Sequence, residues 1–304
     1  MNNIQEELLK LTADLHKIPQ GAFNLRENGK LKARNVTENI VIETNQSGDG
    51  INIIIKPHTK NESVHIPVIL TQAGLVDVVK NDFYIGKNAE VTIVAGCGIH
   101  SNGDKKTEHD GIHRFFIENG AKVRYVERHV ALGTGREKVL NPVTEITMGE
   151  NSEFYMETAQ LQGVTYADRK TIATLAKNAK LTINEKVLTE NNSIATSNFV
   201  ANLNGENSSV HIVSRAVSKD KSRQEFNSVL NGNNKCFGHT ECDAIIVGEG
   251  KCFARPEVNA LHPDASLIHE AAIGKIAGEQ IQKLLTLGLS EEEAQNQILK
   301  GFLR

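Results

Sequence analysis

Thiol and imidazole side chains gather in the last third of the sequence. The residues concerned are Cys236, Cys242, Cys252, His239, His262 and His269. Thiolate and imidazole in combination suit soft metals, including the iron of iron–sulfur clusters. The sequence has no C-x-x-C pair, so a rigid structural zinc site is not expected. For each cysteine taken alone, a free thiol that packs as a small hydrophobic side chain is the simpler interpretation.

The fourth cysteine lies far from this group. Cys97 stands among small residues in Ala95-Gly96-Cys97-Gly98, directly after the apolar run Val91 to Val94. Small neighbours would leave the thiol open to a visiting group, so one interpretation is a reactive sulfur acceptor, which requires a lowered thiol pKa. The other interpretation is a tightly packed turn.

Two further histidines, His109 and His113, are four residues apart where a loop leads into a strand. In a strand, residues four apart share one face, so the two rings could bind a metal together. Two solvated or singly hydrogen-bonded histidines are the simpler interpretation. The preceding stretch from Ser101 to His109 is strongly polar and predicts an exposed loop.

A degenerate repeat predicts the scaffold that would position these side chains. Each copy has a turn with Gly or Asn, then a small residue, then apolar residues two apart. The copies begin at Gly86, Glu118, Gly149, Ala176, Gly205 and, more weakly, Gly232, with spacings of 32, 31, 27, 29 and 27 residues. Alternation with period two indicates strands, and stacked turn-and-strand units form a β-solenoid.

The second apolar position of the repeat forms a column that becomes polar toward the C-terminus. It holds Ile93, Tyr125, Met156, Ile183 and Ile212, then His239, and in half-spaced copies Arg255 and His269. Polar groups on a buried face need partners, so the column predicts a functional surface. A slip of one residue would instead place these side chains outside, in solvent. Both interpretations stay open on the pattern alone.

Helical patterns flank the solenoid. Residues 1–16 carry an apolar stripe (Ile4, Leu8, Leu9, Leu11, Leu15) and predict a helix that caps one end of the core. A second helix is predicted from Gly274 to Leu287, ending at Gly288. A third follows the capping box from Ser290 to Glu293. The two C-terminal helices need a surface to pack on, which is either the open end of the solenoid or another protein.

Composition excludes several classes of function. The net charge is -3, with 34 Lys and Arg against 37 Asp and Glu, so neither nucleic acid nor an anionic membrane is an expected partner. No apolar run approaches the roughly 20 residues of a membrane span, and the N-terminus lacks a signal-peptide core. We therefore expect a cytoplasmic protein with reduced thiols.

Two enzyme classes are also disfavoured. The segment from Gly133 to Lys138 lacks the P-loop pattern, so the chain is not expected to hydrolyse nucleotide itself. Tryptophan is absent, aromatic residues make up 5% of the chain, and no pair of carboxylates repeats on one face. These features count against a solenoid that cleaves carbohydrate.

A long, ordered string of motifs resembles one family. It comprises Cys242-Asp243-Ala-Ile-Ile-Val-Gly248, Pro256-Glu257-Val258, His269-Glu270-Ala271, Lys275-Ile276, Glu279-Gln280, Leu289-Ser290-Glu-Glu-Glu-Ala294 and Gly301-Phe302, together with the central segments Ala95–Gly98 and Gly120–Tyr125. These motifs are similar to the core domain of the SufB/SufD proteins, and the likeness runs from about Gly50 to the end. Glu127, Arg128 and His129 depart from it, because the family has Gln and Trp after the central Tyr.

The resemblance implies a right-handed parallel β-helix with helical ends: residues 1–20 as an N-terminal helical segment, 21–272 as the core and 273–304 as an ATPase-docking segment. It implies a non-enzymatic scaffold for building a transient iron–sulfur cluster. The implied partners are a SufC-type ABC ATPase, a sulfur donor, and either a second copy or another SufB/SufD-like subunit. No nucleotide is expected on this chain. A SufD-like structural partner without ligands is the alternative.

The resemblance also implies roles for individual residues. Cys242 matches the cluster-building cysteine of SufB, and His269 with Glu270 match the family's iron- or cluster-binding His and Glu. Cys97 matches the sulfur-entry cysteine, from which sulfur passes inside the solenoid toward the cluster site. A SufB-type cysteine and a SufB/SufD-type histidine on one chain suggest a self-sufficient homodimer.

Overall fold

Two ten-stranded sheets enclose the main hydrophobic core in the computed structural model, which describes residues 3–13 and 21–303. One sheet runs in the order β2 (Lys30–Asn35), β1 (Ala22–Glu27), β5 (Glu62–Leu70), β7 (Glu90–His100), β9 (Lys122–Leu132), β12 (Glu153–Gln162), β14 (Lys180–Thr189), β16 (Ser208–Ser218), β18 (Cys236–Ile246) and β20 (Ala265–Gly274). We call it sheet A. Its strands pair in parallel from β1 and β5 onward. The predicted β-solenoid is confirmed, with about eight turns.

The opposite wall, sheet B, has the complementary strands. They are β3 (Ile40–Thr44), β4 (Gly50–Ile55), β6 (Val76–Ile85), β8 (Thr107–Ile117), β10 (Lys138–Leu140) with β11 (Val143–Met148), β13 (Tyr166–Leu175), β15 (Ile194–Leu203), β17 (Arg223–Gly232) and β19 (Lys251–Ala260). At the first end of the solenoid the chain closes each sheet with an antiparallel pair, β1 with β2 and β3 with β4. At the other end, β19 and β20 are the last strands of their sheets.

The backbone conformation of the turn that opens each repeat explains why Asn or Gly stands at its third position. The third residue of five successive copies has a positive φ: Asn88 (56°), Gly120 (71°), Asn151 (56°), Asn178 (55°) and Asn207 (58°). Asn and Gly adopt this conformation at the least cost. The small residue that follows is buried in every copy, where the chain turns into the core: Ala89, Ala121, Ser152, Ala179 and Ser208.

The apolar column predicted from the repeat is confirmed up to Ile212. Its members pair strand by strand, from Ile93 to Tyr125, Met156, Ile183 and Ile212, and all are buried.

Beyond Ile212 the predicted continuation is wrong by one residue at His239 but right at His269. Ile212 pairs with Thr240, and Thr240 pairs with His269, so His239 lies on the outer face instead. The turn from Gly232 to Cys236 is one residue longer than the turn from Gly205 to Ser208, and a one-residue slip exchanges the two faces of a strand. Arg255 lies in sheet B, paired with Asn227.

The N-terminal helix α1 (Asn3–Ala13) packs on the side of the solenoid, not across its end. Leu8 and Leu9 join an apolar cluster with Phe23, Leu25 and Ile69. The helix approaches β7 closely because Gly96 and Gly98 have no Cβ; a Cβ at Gly96 would stand 2.6 Å from the Thr12 carbonyl oxygen. The prediction of an end cap is therefore wrong. Leu15 lies outside the described residues.

The two C-terminal helices are α2 (Gly278–Leu285) and α3 (Glu291–Phe302). The predicted capping box is present: the Glu293 amide donates to Ser290 Oγ (3.3 Å), and the Ser290 amide donates to Glu293 Oε2 (2.8 Å). Helix α2 buries none of its residues, and α3 buries Ala294 and Leu299. Most of β19 and β20 stays exposed.

None of the helices in residues 3–13 and 21–303 is long and apolar enough to cross a membrane.

Candidate functional site

Cys242 lies on the inner face of sheet A, one strand before the end. It is fully buried in β18 and is paired with Ser214 on one side and Ala271 on the other. Its thiol lies against that of Cys252 from β19, and this contact, followed by burial, raises the pKa of Cys242. The same contact lowers the pKa of Cys252, which is partly exposed.

His269 shares this inner face. It lies in β20 opposite Thr240, and its Nδ1 is 3.5 Å from the Thr240 hydroxyl oxygen. Thr240 is two residues from Cys242 on the same strand, so both point to the same side. The structure thus brings the thiol and the imidazole to neighbouring strands of one inner face, as stacking of coils predicts.

Glu270 does not join them. It is the next residue after His269, so its side chain leaves the opposite face of β20, where Glu241 is its register partner. The nearest imidazole is that of His239, whose Nε2 lies 3.6 Å from Glu270 Oε2. Of the three residues expected to form one ligand set, the single chain brings together two.

The other C-terminal candidates are further from this pair. Cys236 is buried at the start of β18, six residues before Cys242. His262 lies in the turn before β20, where its Nδ1 accepts a hydrogen bond from the Asp264 amide (3.1 Å).

Cys97 faces the interior in the N-terminal half of the solenoid, on β7, the fourth of the ten strands of sheet A. It is 2% exposed and is paired with Val68 and His129. Burial, and after it the charges of Asp77 and Glu127, raises its pKa well above that of an ordinary thiol. A sulfur acceptor needs the opposite shift, whereas the buried Cys97 is held as a protonated thiol.

His109 and His113 line the same narrow interior cavity as Cys97. They share one face of β8, as expected, but both are buried. The exposed loop predicted from Ser101 to His109 is wrong from Thr107 onward, where β8 begins, and at Ser101, which is also buried. His109 Nδ1 lies 2.9 Å from Asp77 Oδ2, and His113 Nδ1 lies 2.6 Å from the Tyr125 hydroxyl oxygen. Burial is the main cause that lowers the pKa of His113 to about 4.

A chain of buried polar contacts runs from the surroundings of Cys97 toward Cys242. Glu127 lies 3.5 Å from His129 Nε2 and accepts a 2.6 Å hydrogen bond from Arg169. Arg169 Nε is 3.7 Å from Glu185, which accepts a hydrogen bond from Ser214 (2.8 Å). Ser214 is the register partner of Cys242.

These contacts follow one inner column, which the sequence reasoning missed. Its members in strand order are Ala95, Glu127, Thr158, Glu185, Ser214 and Cys242. The signal was available for the first five members, each of which lies four residues after the first apolar position of its repeat; for Cys242 the longer turn after Gly232 shifts this spacing by one residue.

The family model and the relatives that match this chain all point to one family. Residues 69–302 match the family model described as SUF system FeS cluster assembly, SufBD core domain. An iron–sulfur cluster assembly SufBD family protein of Archaeoglobus fulgidus is 32% identical over 218 residues, which cover 71% of this chain and 58% of that protein. One of Methanocaldococcus jannaschii is 25% identical over 274 residues, covering 88% and 85%. The iron–sulfur cluster assembly protein SufB of Bacillus subtilis is 33% identical over 101 residues, covering 32% and 22%.

The chain spans a little more than half the length of several of these relatives: 58% for that of Archaeoglobus fulgidus and 53% for that of Methanothermobacter thermautotrophicus.

Proposed function

This chain belongs to the SufBD family of SUF-system iron–sulfur cluster assembly proteins, and we propose that it acts as a scaffold subunit that accepts sulfur and iron and builds a nascent cluster. The cluster is cargo, transient on this chain, which itself turns over no substrate and holds no nucleotide. The observation that carries the proposal is the placement of Cys242 and His269 on one inner face at the open end of the solenoid.

The chemistry of the two side chains suits this cargo. Thiolate and neutral imidazole are ligands of iron in known iron–sulfur centres. The Cys242 thiol keeps its proton in the closed chain, and iron binding would displace it, because metal ligands must be deprotonated. Cys252 lies beside Cys242 with a lowered pKa and is positioned to take part. Glu270 remains a predicted ligand, reachable only on the outer face of this chain.

We also propose that a partner subunit binds at the open end of the solenoid. Strands β19 and β20 end their sheets and are largely exposed, so each offers unpaired backbone groups to another chain. A second copy, or another SufB/SufD-like subunit, would cover the ligands and shield the thiols from oxidation. The predicted homodimer is tested by light scattering; a stable monomer, alone and with the ATPase, would count against it.

The C-terminal helices are the proposed docking site for a SufC-type ABC ATPase, which would hydrolyse the ATP. Helix α2 buries none of its residues, and Leu285 and, just after the helix, Leu287 are among the exposed apolar side chains. A chain ending at Gly274 should keep its solenoid and lose the ATPase in a co-purification experiment. Retention of the ATPase would place the docking surface elsewhere.

We propose the cytoplasm as the location of the protein, in keeping with its four free cysteines.

Cys97 is the proposed entry point for sulfur, with the buried polar contacts as its route toward Cys242. Because the thiol is enclosed and protonated, sulfur transfer would require this part of the solenoid to open. A Cys97→Ser variant should lose cluster loading from a persulfide-bearing sulfur donor but keep loading from free sulfide. Equal loading by both routes would remove Cys97 from the pathway.

A SufD-like structural partner is the second candidate. The raised pKa values of Cys97 and Cys242 favour it, since both thiols are unreactive in the closed chain. Iron and acid-labile sulfide analysis of the protein purified without oxygen separates the two candidates, because a structural partner would carry neither.

Anaerobic reconstitution with ferrous iron and sulfide tests the scaffold proposal. Cys242→Ala should lose the visible absorbance of a cluster, and His269→Ala should reduce it. Cys236→Ala is the matched control, because Cys236 is a buried thiol on the same face of the same strand. Full cluster absorbance in Cys242→Ala would refute the ligand assignment.

A further inference from the structure

Three potential metal ligands converge on the outer face of the last coil, on the side of sheet A away from Cys242 and His269. They are His239 and Glu241 from β18 and Glu270 from β20. One ligand atom from each residue can be chosen so that all three atoms lie within 4.8 Å of one another. The three side chains are held by two paired strands, whose register sets Glu241 directly opposite Glu270.

The charges at this point are uncompensated. Two carboxylates that face each other across neighbouring strands repel, and such pairs destabilise a sheet. Within the described part of the chain, neither Glu241 nor Glu270 pairs with a lysine or arginine. Asp243, two residues further along the same face, adds a third carboxyl group close to Glu241. A bound cation would convert this repulsion into attraction.

His239 supplies the ligand that distinguishes this group from an ordinary acidic patch. Its Nε2 is buried, has no hydrogen-bond partner and lies 3.6 Å from Glu270 Oε2. The ring stacks on that of His211 one coil earlier, with centroids 5.0 Å apart and an interplanar angle of 12°. The stack holds the imidazole with an unused nitrogen toward the carboxylates, an arrangement that costs free energy unless that nitrogen finds a partner.

We propose that His239, Glu241 and Glu270 bind a divalent first-row transition metal ion on the outer face of the solenoid. One imidazole nitrogen and two carboxylate oxygens form a ligand set that suits such ions and leaves further positions for water. The site is separate from the inner pair Cys242 and His269, and it does not rest on the scaffold proposal. It places Glu270 in a metal site without His269, with which the family resemblance groups it.

Anaerobic titration of the cluster-free protein with Co²⁺ tests this site. We expect one Co²⁺ per chain at this site with weak visible bands, because its ligands are nitrogen and oxygen. An intense thiolate-to-cobalt charge-transfer band reports separate binding at the inner thiols. His239→Gln, Glu241→Gln and Glu270→Gln should each weaken binding by about tenfold or more, equivalent to about 1.4 kcal/mol or more. Glu257→Gln, an exposed carboxylate in β19, is the control and should bind as the wild type does.

A Cys242→Ser/His269→Ala double variant separates the two faces. It should retain Co²⁺ binding, whatever its behaviour in cluster reconstitution. The proposal is overturned if the wild type binds no Co²⁺ or if the three single variants bind it unchanged. It is also overturned if the double variant binds no Co²⁺, because all of the binding would then belong to the inner face.

Discussion

Protonation of the buried His113 should make the solenoid lose stability in mild acid. The ring is enclosed beside Tyr125, and burial is the main cause that lowers its pKa to about 4, against 6.5 for an unperturbed histidine. The folded state therefore excludes a proton that the unfolded state accepts. This contribution to stability is complete above pH 6.5 and is lost as the pH falls from 6.5 toward 4.

The size of the effect follows from the two pKa values. The difference between 6.5 and about 4 corresponds to about 3 kcal/mol in total, of which about 2 kcal/mol is lost by pH 5. Burial also lowers the pKa values of His65 and His129, so the wild type should lose more unfolding free energy in acid than the part due to His113. A comparison with a His113→Gln variant isolates the part that belongs to His113.

Urea unfolding followed by circular dichroism at pH 7.5 and pH 5.0 measures this loss. The decrease in unfolding free energy between the two pH values should be smaller by about 2 kcal/mol in His113→Gln than in the wild type. His58→Asn is the control: His58 is exposed, and Asn tolerates its positive φ of 63°. A decrease in His113→Gln equal to that of the wild type would refute the reasoning.

Two further predictions concern the buried interior. Arg169→Met should lower the unfolding free energy by about 3–5 kcal/mol, because it leaves Glu127 and Glu185 without their cation. Lys170→Met is the control: it removes an exposed ion pair and should lower the unfolding free energy by less than about 1 kcal/mol. Equal losses in urea would contradict the buried network. In the native chain, a small thiol reagent at pH 8 should label Cys252 first and the three buried cysteines only after unfolding; rapid native labelling of Cys242 would contradict its enclosed position.

The fold could be predicted from the sequence because the repeat encodes both halves of each unit. Asn88 and its equivalents mark the positive-φ turns, and the apolar column from Ile93 onward marks the inner face. The apolar stripe of the N-terminal helix indicates that one face of the helix is buried, but not which surface it packs on. The helix packs where Gly96 and Gly98 leave room for it, and these contacts join residues that are far apart in the sequence.

The candidate site could be predicted only in part. Cys242 and His269 meet on one face as expected, but His239 was placed inside because the turn after Gly232 has one extra residue, which a degenerate repeat does not reveal. The interior ion pairs of Arg169 were missed for a different reason. A charged residue is rarely buried unless it is paired, and the partners of Arg169 lie in other coils, so its sequence neighbours give no sign that it is buried.

The central claim is that one inner face, carrying Cys242 and His269, holds the nascent cluster. Mössbauer spectroscopy of isotopically enriched iron tests it most directly, on protein purified without oxygen together with its co-expressed ATPase. The account predicts a cluster signal in the wild type and in Cys236→Ala, a weaker signal in His269→Ala, and its loss in Cys242→Ala. An undiminished cluster signal in Cys242→Ala would contradict the account.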